Sequence, residues 1–331
     1  MVGKITSDKK LSASRIAVAM DEHPSQEPNE VFNDVCEAIA GIPKAEITDV
    51  RLLELFAMGN EAEKLVAKQV ADFFHLSLKD NITTVYKWAE ADIEASLDAI
   101  LAPTNGLVTV TNRVDVFPEI RLPQGQTSLE IDKPFNLEIK TRQGYPSEDL
   151  PWWLGKGQAM VQAKCAGFDI CAVAVRYNGN QTIVYFYEVD DIYLKRVLAA
   201  AKEFYDRVKN NTPYPSRTAA GAARTYGSVN EDEEPMIFDG DAKELVEQFY
   251  DAERAIKALT VRKKELEPMI MDLMRETKAG LLTDDMGNEI AKVSWPLRKT
   301  RATPERMIPA KEAKEERQKT LTIKADWNNA V

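Results

Sequence analysis

The chain has 331 residues, 44% of them hydrophobic, enough to bury a sizeable core as one large domain or two modest ones. No apolar run approaches the roughly 20 residues that span a bilayer, and Met1-Val2-Gly3-Lys4 lacks a secretory apolar region, so a cytoplasmic protein without a membrane partner is expected. A balance of 43 Lys and Arg against 53 Asp and Glu gives a net charge of −10, which excludes a uniformly basic coat and confines any DNA contact to a local channel.

Ser12 to Ala19 and Val31 to Ala40 carry helical apolar spacing, separated by the polar turn Glu22-His23-Pro24-Ser25-Gln26. Arg51 to Leu78 reads as helix with a break near Gly59-Asn60. After Asp80 the texture becomes β-branched and alternating, with strands expected over Ile82 to Trp88, Ser96 to Ala102, Leu107 to Thr111 and Phe135 to Arg142. Trp152 to Ala166 reads as helix, Ile170 to Arg176 and Thr182 to Glu188 as a hairpin around Asn178-Gly179, and Ile192 to Val208 as helix again. This order predicts an α+β core over 1–211, with a mixed, mainly antiparallel sheet flanked by helices.

Pro213, Pro215, the small residues 219–223 and the acidic run 231–234 mark 212–240 as a linker. Residues 241–331 form a helical appendage: helix from Ala242 to Ala279 stopped at Gly280, a hairpin over Leu281 to Trp295, and a solvated, mixed-charge helical tail through Arg298, Lys299, Arg301, Arg306 and Lys311.

The chemistry concentrates in Asn136-Leu137-Glu138-Ile139-Lys140. On a strand, Glu138 and Lys140 share one face while Leu137 and Ile139 take the other, which sets a carboxylate beside an ammonium. Asp98 interrupts the apolar strand Ser96-Leu97-Asp98-Ala99-Ile100, where burial has little use for it unless it is paired or bound to a cation. Glu63 lies on the helix feeding the sheet. Three carboxylates from three elements suit a hard divalent cation with oxygen ligands. Three cysteines, Cys36, Cys165 and Cys171, lack metal-ligand spacing. Trp152-Trp153 could stack on a base, although burial at a helix start is the expected use.

Several segments, in order, resemble the YqaJ-like viral recombinase family, the phage lambda-type alkaline exonucleases with a restriction-endonuclease-like core. They are Ser12-Ala13-Ser14-Arg15-Ile16, Gly59-Asn60-Glu61-Ala62-Glu63, Ser96-Leu97-Asp98-Ala99-Ile100, Leu137-Glu138-Ile139-Lys140, and Gln158 nine residues before Gly167. The pattern departs at Leu97, Ala99, Met160 and Ser7, and residues 103–134 replace a short connection. The resemblance implies that Asp98, Glu138 and Glu63 hold Mg2+, with Mn2+ substituting. Lys140 would orient or deprotonate water, Gln158 would position Lys140, and Ser14 with a nearby cation such as Arg15 would hold a 5′-phosphate. It also implies 5′-to-3′ digestion of duplex DNA ends in a bacterial host's cytoplasm, a trimeric ring, and a single-strand-annealing recombinase as partner, with the appendage as its candidate docking surface. The alternatives are a Cas4- or RecB-like nuclease on single-stranded ends and a catalytically silent DNA-end-binding protein.

Overall fold

The computed structural model describes residues 6–44, 47–80, 82–114, 116–226, 237, 239–295, 297–299, 315–317 and 322–325. The chain divides into two compact units, 1–230 and 231–331. In the first, the strands are β1 (Leu11–Ser12), β2 (Leu76–Lys79), β3 (Tyr86–Trp88), β4 (Ile93–Ala95), β5 (Ala99–Pro103), β6 (Val108–Thr111), β7 (Glu119–Arg121), β8 (Ser128–Ile131), β9 (Phe135–Arg142), β10 (Ile170–Tyr177) and β11 (Gln181–Glu188). Its helices are α1 (Ile16–Ala19), α2 (Pro28–Ile39), α3 (Val50–Phe74), α4 (Gly157–Ala166), α5 (Asp191–Asn210) and α6 (Ala219–Thr225). The fold is α+β: a sheet ordered β2-β5-β9-β10-β11-β7, mixed and mainly antiparallel, lies between helical layers.

Alternation along the central strands builds two cores. Leu137 and Ile139 of β9, Ala172 and Ala174 of β10 and Phe186 of β11 pack towards Val66 and Val70 of α3. Val173 and Val175 of β10 and Ile183 and Tyr185 of β11 pack on the opposite side with α1, α2, α4 and α5. The hairpin β10–β11 turns through Asn178 and Gly179 at φ 49° and 77°, backbone angles that favour these two residues. Asn178 further ties its side chain to both the N–H and the carbonyl of Gly144.

Several expected boundaries move. No break occurs at Gly59-Asn60; α3 continues to Phe74 and stops at His75, whose left-handed φ of 52° forms the cap. A glycine inside a helix costs only about 1 kcal/mol, and the neighbouring turns hold α3 together. Leu76 to Leu78 therefore belong to β2, and only Tyr86–Trp88 of the expected 82–88 strand is extended. Ser12 to Ala19 is not one helix, because Leu11 and Ser12 pair in parallel with Ile93 and Glu94 before a 3-10 turn leads into α1. The 152–166 helix is interrupted at Leu154 and Gly155, where φ is −93° and 96°.

The 103–134 segment covers the sheet. Its β7 adds to β11, while β6 and β8 pair with each other and send Val110, Leu129 and Ile131 into the core shared with α3. Part of the expected 212–240 linker packs on the first unit: Thr218 and Arg217 hydrogen-bond Glu27, and Arg224 of α6 reaches Asp34 at 2.8 Å. The acidic run 231–234 lies outside the described residues.

In the second unit, α7 (Gly240–Met274) ends before the expected Ala279, since Ala279 and Gly280 open β12 (Ala279–Thr283), the hairpin partner of β13 (Glu289–Ser294). Leu297–Lys299 and Glu315–Arg317 pair as β14 and β15, and Thr322–Ala325 forms β16 against β13, so these parts of the tail are strands rather than helix. Arg301, Arg306 and Lys311 lie outside the described residues. No helix among the described residues is long and apolar enough to cross a membrane.

Phe186 meets Phe74 edge-on at 5.4 Å and Phe135 at 5.8 Å, joining strand to helix across one core. Phe186→Ala is expected to cost about 3 to 5 kcal/mol by urea unfolding, the range for an aromatic deletion in a packed core. A smaller loss would show that this layer collapses around the cavity.

Candidate active site

The parity of β9 that buries Leu137 and Ile139 against α3 turns Asn136, Glu138 and Lys140 towards α4. Glycine and alanine at 157, 159 and 163 let α4 approach the strands; a Cβ on Gly157 would collide with the Tyr193 hydroxyl. Just before α4, a Cβ on Gly155 would stand 3.1 Å from Val173 Cγ1 and 3.4 Å from the Lys140 stem. The kink at Gly155 thus closes directly over the lysine.

Lys140 Nζ donates to Glu138 Oε1 at 2.5 Å and to Gln158 Oε1 at 3.0 Å. Gln162, one turn beyond Gln158, donates to Glu138 Oε2 at 2.6 Å and to the Ser96 carbonyl at 2.9 Å, while its Oε1 accepts from Asn136 at 3.0 Å. Glu138, Gln162 and Asn136 are essentially inaccessible to solvent, at 1%, 1% and 0% exposure, and these hydrogen bonds offset the cost of burying them, although Asn136 Oδ1 has no partner among the described residues. Asp98 ends the β5–β9 ladder: the last pair is Ala99 with Leu137, and Asp98 Oδ2 then accepts the Ile139 N–H at 2.8 Å in place of a strand carbonyl.

The charges feel one another. Burial, followed by the fields of Glu138 and Glu63, pushes the Asp98 carboxyl well above its usual range. Burial and then Glu138 likewise raise Glu63, whose position one turn before Val66 carries it on the sheet-facing side of α3. Burial pulls Lys140 down, but Glu138, Asp98 and Glu63 together outweigh it and hold the ammonium above its ordinary value. The four groups named from the sequence, with Gln158, therefore form one electrostatic unit. Among the described residues no three His, Cys, Asp or Glu side chains stand close enough to hold a metal ion in this arrangement, and Lys140 already occupies Glu138 Oε1.

Ser14 and Arg15 behave differently from one another. Ser14 is exposed and meets Ser12 Oγ at 3.1 Å. Arg15 turns its Nη2 to Asp34 at 3.2 Å and Asp8 at 3.7 Å, and its buried Nη1 has no hydrogen-bond partner among the described residues. Lys44 and Arg224 converge on the same Asp34. Trp152 stacks on Tyr193 at 4.0 Å and 12°, a structural use. Trp153 sits edge-on to His23 and under the Arg142 guanidinium, 5.0 Å from its ring centre. Sequence reasoning passed over Gln162 and Asn136; the available signal was a second glutamine four residues after Gln158 on an apolar helix.

The solved structures that this chain is similar to include an alkaline exonuclease. In the structure of LHK-Exo from Laribacter hongkongensis, identity is 14%, coverage is 62% of this chain and 91% of that one, and the TM-score is 0.41. LHK-Exo in complex with dAMP gives 14%, 63%, 92% and 0.43, and SSO0001 gives 13%, 64%, 81% and 0.33. Comparison with protein families and with curated proteins finds no match.

The native fold raises the Asp98 carboxyl above its unfolded value, so stability declines as pH rises from the ordinary carboxylate range through the raised native value. Asp98→Asn keeps an acceptor for Ile139 and removes the titrating carboxyl; it should melt at higher temperature than the parent at neutral pH and show a shallower decline as pH rises above the ordinary carboxylate range, about pH 4. Equal melting profiles would place no repulsion at this position. Gln162→Ala leaves the Glu138 and Ser96 acceptors without their donor and should cost about 1 to 3 kcal/mol in denaturant unfolding.

Proposed function

We propose that the protein is a divalent-cation-dependent deoxyribonuclease that digests linear duplex DNA from its 5′ ends, leaving 3′ single strands for recombination by strand annealing. The observation that carries this reading is the Lys140 ammonium held between Glu138 and Gln158, with Asp98 and Glu63 in the same electrostatic field. The proposed cation is Mg2+, with Mn2+ substituting: Asp98, Glu138 and Glu63 are hard oxygen donors whose mutual repulsion a cation would relieve, once they draw closer than they stand here and Lys140 leaves Glu138 Oε1. Bound there, such an ion would polarise the scissile phosphate and lower the pKa of a bound water.

The chain's own groups supply the rest. Lys140, held as an ammonium by the surrounding carboxylates, donates hydrogen bonds to the attacking water and offsets charge developing on phosphoryl oxygens. Gln158 fixes the lysine head, and Gln162 fixes the Glu138 carboxylate from its other oxygen. Where α3 faces the end of β9 and the β10–β11 hairpin, a cavity of about 510 Å³ is lined by Leu55, Met58, Ala62, Thr141, Arg142 and Arg176. Neither arginine has a carboxylate partner among the described residues, which leaves both to meet backbone phosphates. Ser14, with the neighbouring Arg15 cation, is the proposed holder of the 5′-phosphate. Burial pushes the Cys165 and Cys171 thiols up to about 12, and three cysteines cannot supply the four ligands of an iron–sulfur cluster, which disfavours the single-strand nucleases built around one.

Linear duplex labelled at either end should lose its 5′ label first when Mg2+ is added and remain intact with a chelator; loss of the 3′ label first would reverse the direction. Lys140→Ala should lower turnover by about 100-fold or more while leaving end binding in place, and Gln158→Ala by about 10- to 100-fold. Arg142→Ala and Arg176→Ala should each weaken binding across all sequences and reduce its salt dependence by about one unit of slope.

A further inference from the structure

Along α7 the apolar side chains recur every 3.5 residues, alternating three and four, over most of the helix's 35 residues. Phe249, Ile256, Lys263 and Ile270 occupy one position of this seven-residue repeat, a. Leu245, Ala252, Leu259, Leu266 and Leu273 occupy the other, d. Such a seam is normally hidden, yet Leu245, Phe249, Ile256, Leu259 and Leu273 are 63% to 83% exposed. A helix of this length, about 50 Å, gains little from presenting that stripe to water.

We propose that α7 forms a parallel, in-register coiled coil with α7 of a second copy of this chain. The choice of partner follows from which residues occupy the seam. Isoleucine at a with leucine at d favours two parallel strands. A single lysine at a, Lys263, fixes register and strand number, because a two-stranded seam lets its ammonium reach water along an extended stem, whereas a three-stranded core would bury three of them. Seven-residue numbering also puts Arg262 and Glu267 at the flanking positions that meet across a parallel pair, with opposite charge. Pro268 falls on the outward side of the repeat, farthest from the seam, where its missing N–H and its bulk disturb the pairing least. The inference is independent of the reaction at Lys140.

The test uses the full chain. Light-scattering mass of Leu259→Asp should be half that of the parent at the same concentration, while Val261→Asp, on the outward side, should leave the mass unchanged; the main unfolding transition of each variant, followed by circular dichroism, checks that the first unit stays folded. Leu245→Cys should give an oxidised cross-link between two chains that the parent does not form, since in-register pairing puts the two 245 positions side by side. A monomeric parent overturns the proposal, as does a parent of three chains that Leu259→Asp does not change, the outcome a trimeric ring closed elsewhere would give. A cross-link that requires Cys at both 245 and 270 would mean antiparallel chains and overturns the stated register.

Discussion

Everything at the candidate site depends on the two-residue period of β9. One step along the strand separates a side chain in the core under α3 from one facing α4, so Leu137 and Ile139 anchor the strand while Glu138 and Lys140 are held against Gln158 and Gln162. A register slip of one residue would put the carboxylate and ammonium into the apolar layer and bring leucine and isoleucine to the site. Strong apolar burial on one side therefore enforces the placement of unfavourable polar groups on the other. The second constraint is the closeness of α4, which Gly155 and Gly157 make sterically feasible.

Placed so tightly, the site is a compromise between stability and chemistry. Buried carboxylates raise one another's affinity for protons, and one ammonium among Glu138, Asp98 and Glu63 offsets only part of that repulsion. The glutamines contribute neutral hydrogen bonds, which hold the carboxylate and the lysine in orientation without adding further charge. Perturbed titration of this kind clusters where proteins do chemistry, although structural ion pairs produce it too; here it coincides with side chains drawn from α3, β5, β9 and α4.

Much of this was legible in residue order. The strand 135–142, the Asn178-Gly179 hairpin and the α5 helix follow from local alternation, turn chemistry and apolar spacing, and the Glu138–Lys140 pairing follows from parity alone. Gln162 was not legible because a buried glutamine looks like any polar helix residue until its acceptors, Glu138 and Ser96, are brought there by distant strands. The same reason hid the ties of Arg15 to Asp34 and Asp8, which arise between elements with no local signature. The uninterrupted α3 shows the converse: Gly59 is a helix breaker by preference, but the turns on either side outweigh a single unfavourable residue.

The added strand β7 has a wider effect than covering apolar surface. It is three residues long, sits at one margin of the main sheet, and is bridged from its outer side at Ile120 by Arg113. Arg121 and Glu119 bring charge to the same margin. A short, charged, partly capped border offers a poor template for strand addition by a neighbouring molecule, so this edge of the sheet is shielded from edge-to-edge aggregation.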